Sequence, residues 1–336
     1  MSVVAVFGAY GHTARFVTAE LLSRGHTPVL SGRDAAKLEF AAPPGVETRV
    51  ATVDDPDSLD RALAGADVVI NCAGPFAETA PALIEAALRA GIHYLDVTGE
   101  TIVALDTFGT YGDDQRIKDA GIVVAPVMAF YGALGDLLAT VAMGDWTTAD
   151  DISIAVALDS WQPTRGTLLA GARRAGRRVV FRDRQLEVVP AEEPAPHASW
   201  TFGAPFGVQE VVGQFSTTDV ITISRHLDTP QVNAYLNLTP LKDLSDPSPD
   251  GPQATDASGR SAQVFLVEVA VRRGDEERRA SAQGQDIYAF TAPIVVEAVD
   301  RILSGRTRAG GVVTAGEIFD PEDFLRALPF DNLSLS

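Results

Sequence analysis

The chain has 336 residues, 45 acidic against 27 basic side chains, and a formal net charge of −18. With 46% hydrophobic and 21% charged residues it reads as globular, long enough for about two domains. The acidity argues against a nucleic acid or an anionic membrane surface, both of which need a basic face, so the expected partner is a small molecule.

In chain order, the opening MSVVAVFGAYG has no basic n-region and meets glycine too early for a secretory signal. Residues 2–7 read as a strand without polar alternation, the pattern of a parallel strand buried on both faces. Ala14, Val17 and Leu21 fall on one face of a helix over 13–24 that Gly25 closes. Further strands are expected at 28–31, 48–53, 67–71, 94–97 and 122–127, with a helix at 81–90 ending at Gly91. This alternation predicts an α/β fold with a doubly wound parallel sheet. The uncharged run 120–135 has 16 residues with Pro126 inside, short of the ~20 that a membrane span needs.

Beyond about residue 145 the pattern changes. Strands of antiparallel character are expected at 152–158, 178–189, 219–224 and 264–272. The stretch 243–260, with four Asp and three Pro, reads as a mobile surface loop. Helices follow at 293–303 and 321–328. The expected organisation is a dinucleotide-type domain over 1–145, an α+β substrate and dimerisation domain with a mixed, largely antiparallel sheet over 146–287, and C-terminal helices over 288–336 returning to the first domain. Too few helices are expected to cover both faces of the second sheet, which predicts burial of one face in a homodimer.

The strongest motif is Gly8-Ala9-Tyr10-Gly11-His12-Thr13-Ala14, between the first strand and the first helix. G-x-x-G-x-x-A there is a dinucleotide fingerprint. Gly8 permits the tight turn, Gly11 lets the backbone approach a pyrophosphate, and Ala14 allows close helix–strand packing. Tyr10, His12 and Thr13 belong to the same loop and helix N-terminus. The second strand ends Ser31-Gly32-Arg33-Asp34, where an NAD site carries a carboxylate for the ribose hydroxyl and an NADP site a cation for the 2′-phosphate. Arg33, with Lys37 a turn later, favours NADP(H), while Asp34 is placed to cap the next helix; the alternative is that both cations are solvated surface charges. Asp54 is placed near the adenine. Asn71, Cys72, Ala73 and Gly74 follow the fourth strand, where the nicotinamide half should pass.

Cys72 reads better as a small packed side chain than as a nucleophile. As the lone cysteine it excludes an intramolecular disulfide and any Cys-based zinc cluster, and no histidines have metal-ligand spacing. A reduced, cytoplasmic protein is the simplest expectation.

Three stretches in order, GAYGHTARFVTAELLSRGHTPVLSGRDAAKL, VVINCAGPFAETAPALIEAALRAGIHYLDVTGE and AGIVVAPVMAFYGALGDLLA, resemble the saccharopine dehydrogenase-like NADP-binding oxidoreductases over roughly residues 3–140. The resemblance implies a Rossmann domain joined to a mixed α/β substrate domain, and NADPH-linked reduction of C=N or C=C bonds. It assigns the cofactor to Gly8, Gly11, Arg33, Asn71, Ala73 and Gly74. Where relatives often carry Gly-Phe-Asp and a proline, this chain reads Ala129-Phe130-Tyr131-Gly132.

At the carboxyl ends of the strands, where ligands bind in such sheets, Tyr131, Glu100, Asp96 and His12 are able to move protons. Tyr131 is the first choice as donor, the alternative being an aromatic wall of the pocket. Glu100 either orients substrate or caps the next segment. His93 is expected to be structural. Arg165 and the Arg225-His226 pair are candidates for a substrate carboxylate. No tyrosine has a lysine four residues later, which removes the usual short-chain dehydrogenase pair. A Rossmann protein that binds NADPH without turnover, as a redox sensor or partner-binding module, is the competing reading.

Overall fold

The computed structural model describes residues 2–174, 176–248 and 250–335, and its chain forms two compact units. The first comprises Met1–Gly99, Val103–Ala129 and Thr291–Phe319; the second comprises Glu100–Ile102, Phe130–Phe290 and Asp320–Ser336.

The first unit holds β1 (Val3–Phe7), β2 (Thr27–Gly32), β3 (Glu47–Val50), β4 (Val68–Asn71), β5 (His93–Asp96) and β6 (Val123–Ala125), joined late in the chain by β15 (Gly311–Val312). All pair in parallel, in the order β15-β6-β5-β4-β1-β2-β3. The two halves of the sheet diverge at β1, between β2 and β4, which is the switch point where such sheets bind ligands. β1 and β4 are buried almost throughout, as unalternating apolar strands require. The helix His12–Ser23 buries Ala14, Phe16, Val17 and Leu21. The helix expected from Pro81 starts earlier and spans Phe76–Ala90, with Pro81 inside it and Gly91 left-handed at its end.

The second unit holds β7 (Asp151–Leu158), β8 (Arg178–Arg182), β9 (Gln185–Val189), β10 (His197–Thr201), β11 (Val208–Gly213), β12 (Val232–Asn237), β13 (Val264–Arg273), β14 (Glu276–Gln285) and β16 (Asn332–Leu335). Their order is β10-β11-β12-β7-β13-β14-β16, with β8 and β9 off this path. Among the described residues only β12 and β7 pair in parallel, so the sheet is mixed and mostly antiparallel, as expected.

Several boundaries differ from expectation. The strand expected at 178–189 is a hairpin that turns at Asp183 and Arg184, both at positive φ, the geometry of a two-residue hairpin turn. The strand expected at 219–224 is the helix Asp219–His226. Its β-branched residues suggest a strand, but Val220, Ile221 and Ile223 pack as one buried set, while Asp219 at the start and Arg225 and His226 at the end suit a helix dipole. Part of the expected loop at 243–260 is helical, Thr239–Ser245, and Asp256 ties the segment 256–260 through the Ser258 and Arg260 backbone N–H groups at 2.8 and 3.2 Å.

Residues 130–145 fall in the second unit, since the helix Gly135–Met143 packs on β13 and β14. At the C-terminus only 291–319 join the first unit; the helix Pro321–Arg326 packs on Gly135–Met143, and β16 pairs with β14. The helices Gly135–Met143 and Asp219–His226 pack on β13, β14 and β12, and Ala155, Ala157, Val211 and Leu266 of the sheet form a buried cluster with Phe202, with Trp200, Phe206 and Tyr235 partly buried beside it.

Candidate functional site

In the first unit, the chain leaves β1 through Gly8, at φ +80. A Cβ on Gly8 would lie 2.7 Å from the Ala73 Cβ and 2.8 Å from its backbone, so only glycine allows this approach. The Gly8 and Ala9 N–H groups donate to the Ser31 carbonyl at 2.8 and 3.1 Å, and the Gly11 N–H to the Gly8 carbonyl at 2.9 Å. Gly11 caps the helix His12–Ser23 without a side-chain bond, and no acid lies in its first turn. The helix therefore presents backbone donors and positive dipole to a ligand. His12 and Thr13 open this turn, with His12 edge-on to Phe16 at 5.5 Å.

At the end of β2, the Tyr10 ring lies so close to Gly32 that a Cβ there would meet it at 2.8 Å. Ser31 Oγ is shielded from solvent and makes no hydrogen bond among the described residues. Arg33 is exposed and has no ion-pair partner among the described residues. Asp34 caps the helix Ala35–Ala41, accepting the Lys37 N–H at 3.1 Å and pairing with Lys37 Nζ at 3.3 Å. Lys37 also lies 5.8 Å from the centre of the Tyr10 ring. Asp54 is exposed, four residues past β3. These features fit a dinucleotide: a glycine cradle, an uncapped helix start, a buried free hydroxyl and a free cation.

Behind the loop lies a polar network absent from the sequence expectations. Asn71, fully buried, donates to Thr79 Oγ1 at 3.0 Å and to the Tyr94 hydroxyl at 3.3 Å, and accepts the Ala73 N–H at 3.0 Å. The Tyr94 hydroxyl donates to Asp96 at 2.8 Å. The Asp96 carboxylate, also fully buried, accepts the Thr98 and Val127 N–H groups at 3.1 and 2.9 Å. Asp96 thus ties the ends of β5 and β6 and holds Val127 at φ +56, a conformation that β-branched residues rarely adopt. A lone acid at the end of an apolar strand is the only sequence trace of this clamp. Burial and the charge of Asp96 push the Cys72 thiol far up, which disfavours the nucleophilic thiolate. His93 Nδ1 accepts the Val123 N–H at 3.0 Å, a structural bond between strands, and burial lowers its pKa. Among the described residues no group of His, Cys, Asp and Glu could hold a metal.

In the second unit, Tyr131 sits on a kinked turn over Phe130–Leu134, with Gly132 at φ +107. Its ring contacts Phe130, Trp161 and Phe215, with centroids 5.0, 6.2 and 6.4 Å away. Its hydroxyl is shielded from solvent and unpartnered among the described residues. Burial, then the charge of Asp219, raise its pKa well above the phenol range. Beside it, the Tyr288 hydroxyl gathers Trp161 Nε1 at 2.9 Å, the Thr164 N–H at 3.2 Å and Thr167 Oγ1 at 2.8 Å. Glu100 is half-buried, immediately before the helix Thr101–Tyr111. Arg165 is exposed at the start of the helix Arg165–Arg174. His226 is taken by Asp136, Nε2 to Oδ1 at 2.6 Å, which removes it from the candidates for a substrate carboxylate.

Residues 8–114 match the family model for NAD(P)H-binding domains, so this part of the chain is a nicotinamide-dinucleotide-binding domain of the Rossmann class. The chain is 30% identical over 142 residues to a probable mitochondrial saccharopine dehydrogenase-like oxidoreductase of Arabidopsis thaliana, covering 37% of this chain and 31% of that protein. It is 33% identical over 115 residues to a saccharopine dehydrogenase-like oxidoreductase of Bos taurus, covering 28% and 27%. The matches thus span less than a third of either relative. Apo saccharopine dehydrogenase (L-Glu forming) of Saccharomyces cerevisiae shares the fold, with a TM-score of 0.64 at 14% identity over 97% of this chain and 96% of that one. The resemblance to saccharopine dehydrogenase-like oxidoreductases that the motifs carry therefore holds. Among the described residues no helix is long and apolar enough to cross a membrane.

Proposed function

We propose that the chain is an NADPH-dependent reductase acting on a C=N or C=C bond of a small or medium metabolite. The observation that carries this reading is Arg33, a cation free of any ion pair among the described residues, beside a glycine loop and an uncapped helix start. A 2′-phosphate suits such a cation, whereas a ribose hydroxyl suits a carboxylate. The carboxylate at hand, Asp34, is committed to Lys37 and to its own helix. In this reading Gly8, Gly11, His12 and Thr13 hold the pyrophosphate. Tyr10, Ser31, Arg33 and Lys37 hold the phosphorylated ribose, Asp54 the adenine, and Asn71 to Gly74 the nicotinamide half. The reduced nicotinamide, when bound, supplies the hydride.

Tyr131 is the proton donor of the proposal. Hydride addition to a neutral C=N or C=C bond leaves a nitrogen or carbon base much stronger than phenolate. A phenol with a raised pKa still protonates such a base, yet keeps its proton from weaker ones. The rings of Phe130, Trp161 and Phe215 keep water from its hydroxyl, and Glu100 orients the substrate. A homodimer and a cytoplasmic location belong to the same reading; sedimentation showing a monomer at micromolar concentration would remove the first.

The test is calorimetric titration with NADPH and NADH, followed by NADPH oxidation assays with imine and enoyl compounds. Preference for NADPH with turnover supports the reductase. Binding without oxidation by any such compound replaces it with a non-catalytic NADPH-binding sensor.

A further inference from the structure

The turn that carries Tyr131 is built on a carboxylate for which the proposed chemistry has no use so far. Asp219 is 1% exposed. Its Oδ1 accepts the Gly132 N–H at 2.9 Å, while Oδ2 is shielded from solvent with no hydrogen-bond partner among the described residues. The same helix bonds the turn a second time, Thr222 Oγ1 donating to the Gly132 carbonyl at 2.9 Å. Both backbone groups of the residue after Tyr131 are therefore held by the helix Asp219–His226. The packing leaves little play: a Cβ on Gly135 would lie 2.3 Å from Asp219 Oδ1 and 2.2 Å from Ile154 Cδ1. A buried carboxylate with one oxygen unsatisfied is expensive, and a neutral amide could accept the same N–H at lower cost. The charge thus calls for a role beyond the hydrogen bond.

We propose that Asp219 is a positioning residue for Tyr131, aiming its hydroxyl through the Gly132 turn and acting on it as a fixed negative charge. This rests on the reading of Tyr131 as proton donor. The charge disfavours phenolate, so Tyr131 remains a hydrogen-bond donor until a strong base forms on the substrate.

The electrostatics of the unit agree. Burial pushes the Asp219 carboxyl up to about 6, against the pull of the Gly132 N–H and the nearby Thr217 hydroxyl. Above that pH the carboxylate is charged, and its charge adds to burial in raising Tyr131. The elements packed against this helix bring Tyr131 on the turn, Asp136 on Gly135–Met143, Arg178 and Arg182 on β8, and Tyr235 on β12. Of these, Asp136 raises Asp219 further, and it is itself bonded to His226, the last residue of the Asp219 helix.

The experiment is NMR of the full chain with tyrosine labelled at Cζ, the Tyr131 resonance being assigned by its absence in Tyr131→Phe. In the unsubstituted protein the resonance should shift as pH passes through about 6. Asp219→Asn, which keeps an acceptor for the Gly132 N–H, should abolish that inflection and lower the titration of Tyr131 by on the order of one pH unit. Asp219→Leu, which removes bond and charge together, should also displace the resonance at constant pH. No inflection near pH 6 in the unsubstituted protein overturns the proposal without recourse to any variant, and so does an Asp219→Asn resonance that titrates as before. Undiminished turnover by Tyr131→Phe would instead remove the donor reading, and the NMR result would stand apart from it.

Discussion

Thr79 accepts the side-chain amide of Asn71 at 3.0 Å and gives its own proton to the Ala73 carbonyl at 2.6 Å, while Asn71 Oδ1 accepts the Ala73 N–H at 3.0 Å. Two side chains thus fix both backbone groups of the residue against which Gly8 packs. Asn71→Ala leaves buried partners unsatisfied and should cost about 1–3 kcal/mol, measured by urea denaturation. Because it loosens the cradle and touches no phosphate, it should weaken NADH and NADPH equally.

Arg33→Ala should separate the two cofactors. A hydrogen bond to a charged group contributes about 1.5–3 kcal/mol, and each 1.4 kcal/mol is about tenfold in affinity. Exposure of Arg33 places the effect at the lower end, so NADPH should weaken about ten- to thirtyfold in calorimetry while NADH changes little. Equal losses would mean that Arg33 shapes the loop and does not read the phosphate.

Gly8 and Gly25 form a matched pair. Both lie near φ +80, but a Cβ on Gly25 would meet nothing within 4 Å, whereas one on Gly8 would strike Ala73. Gly25→Ala should cost only the left-handed conformation, about 1–2 kcal/mol, with cofactor binding intact. Gly8→Ala should lose both cofactors in calorimetry and melt lower than Gly25→Ala.

Glu297 is shared by the guanidinium groups of Arg301, Nε at 2.8 Å, Arg24, Nη1 at 2.6 Å, and Arg306, Nη2 at 3.8 Å, and Arg301 is 1% exposed. Glu297→Ala strips a carboxylate from a buried cation and should destabilise by about 3–5 kcal/mol. Thermal unfolding followed by circular dichroism reads this directly.

Asp219 should make stability fall with rising pH. Its folded value of about 6 lies above the ordinary 3.8, so the folded chain binds the extra proton between these values. The cost is absent below that window and complete above it. Asp219→Asn should therefore stabilise by on the order of 2–3 kcal/mol above pH 6 and by little at about pH 4, in denaturant titrations at both ends.

The first unit was readable because buried parallel strands carry continuous apolar runs and because Gly8, Gly25 and Gly91 mark real left-handed turns. The second was less so. Val220, Ile221 and Ile223 have strand-like side chains, and it is packing against the turn at Gly132, the helix Gly135–Met143, β8 and β12 that buries them on a helix. Asp183 and Arg184 turn a hairpin without the glycine that signals one. Tyr131 could be singled out from its place after β6, but Asp219 lies 87 residues away from its Gly132 partner, a separation that no local pattern spans. The Asp96 clamp likewise joins residues 31 apart.

The first unit cannot be completed as it leaves the ribosome. β15, which closes the sheet on β6, and Glu297 and Asp300, which join Glu20 around Arg24, lie in Thr291–Phe319, translated after nearly all of the second unit. Until then β6 is a bare edge able to pair with a foreign strand, and Arg24 has Glu20 of its own helix but lacks Glu297 and Asp300. Such late, long-range closure slows folding and makes the nascent chain a natural client for chaperones. Chains halted before residue 291 should accordingly be the aggregation-prone species.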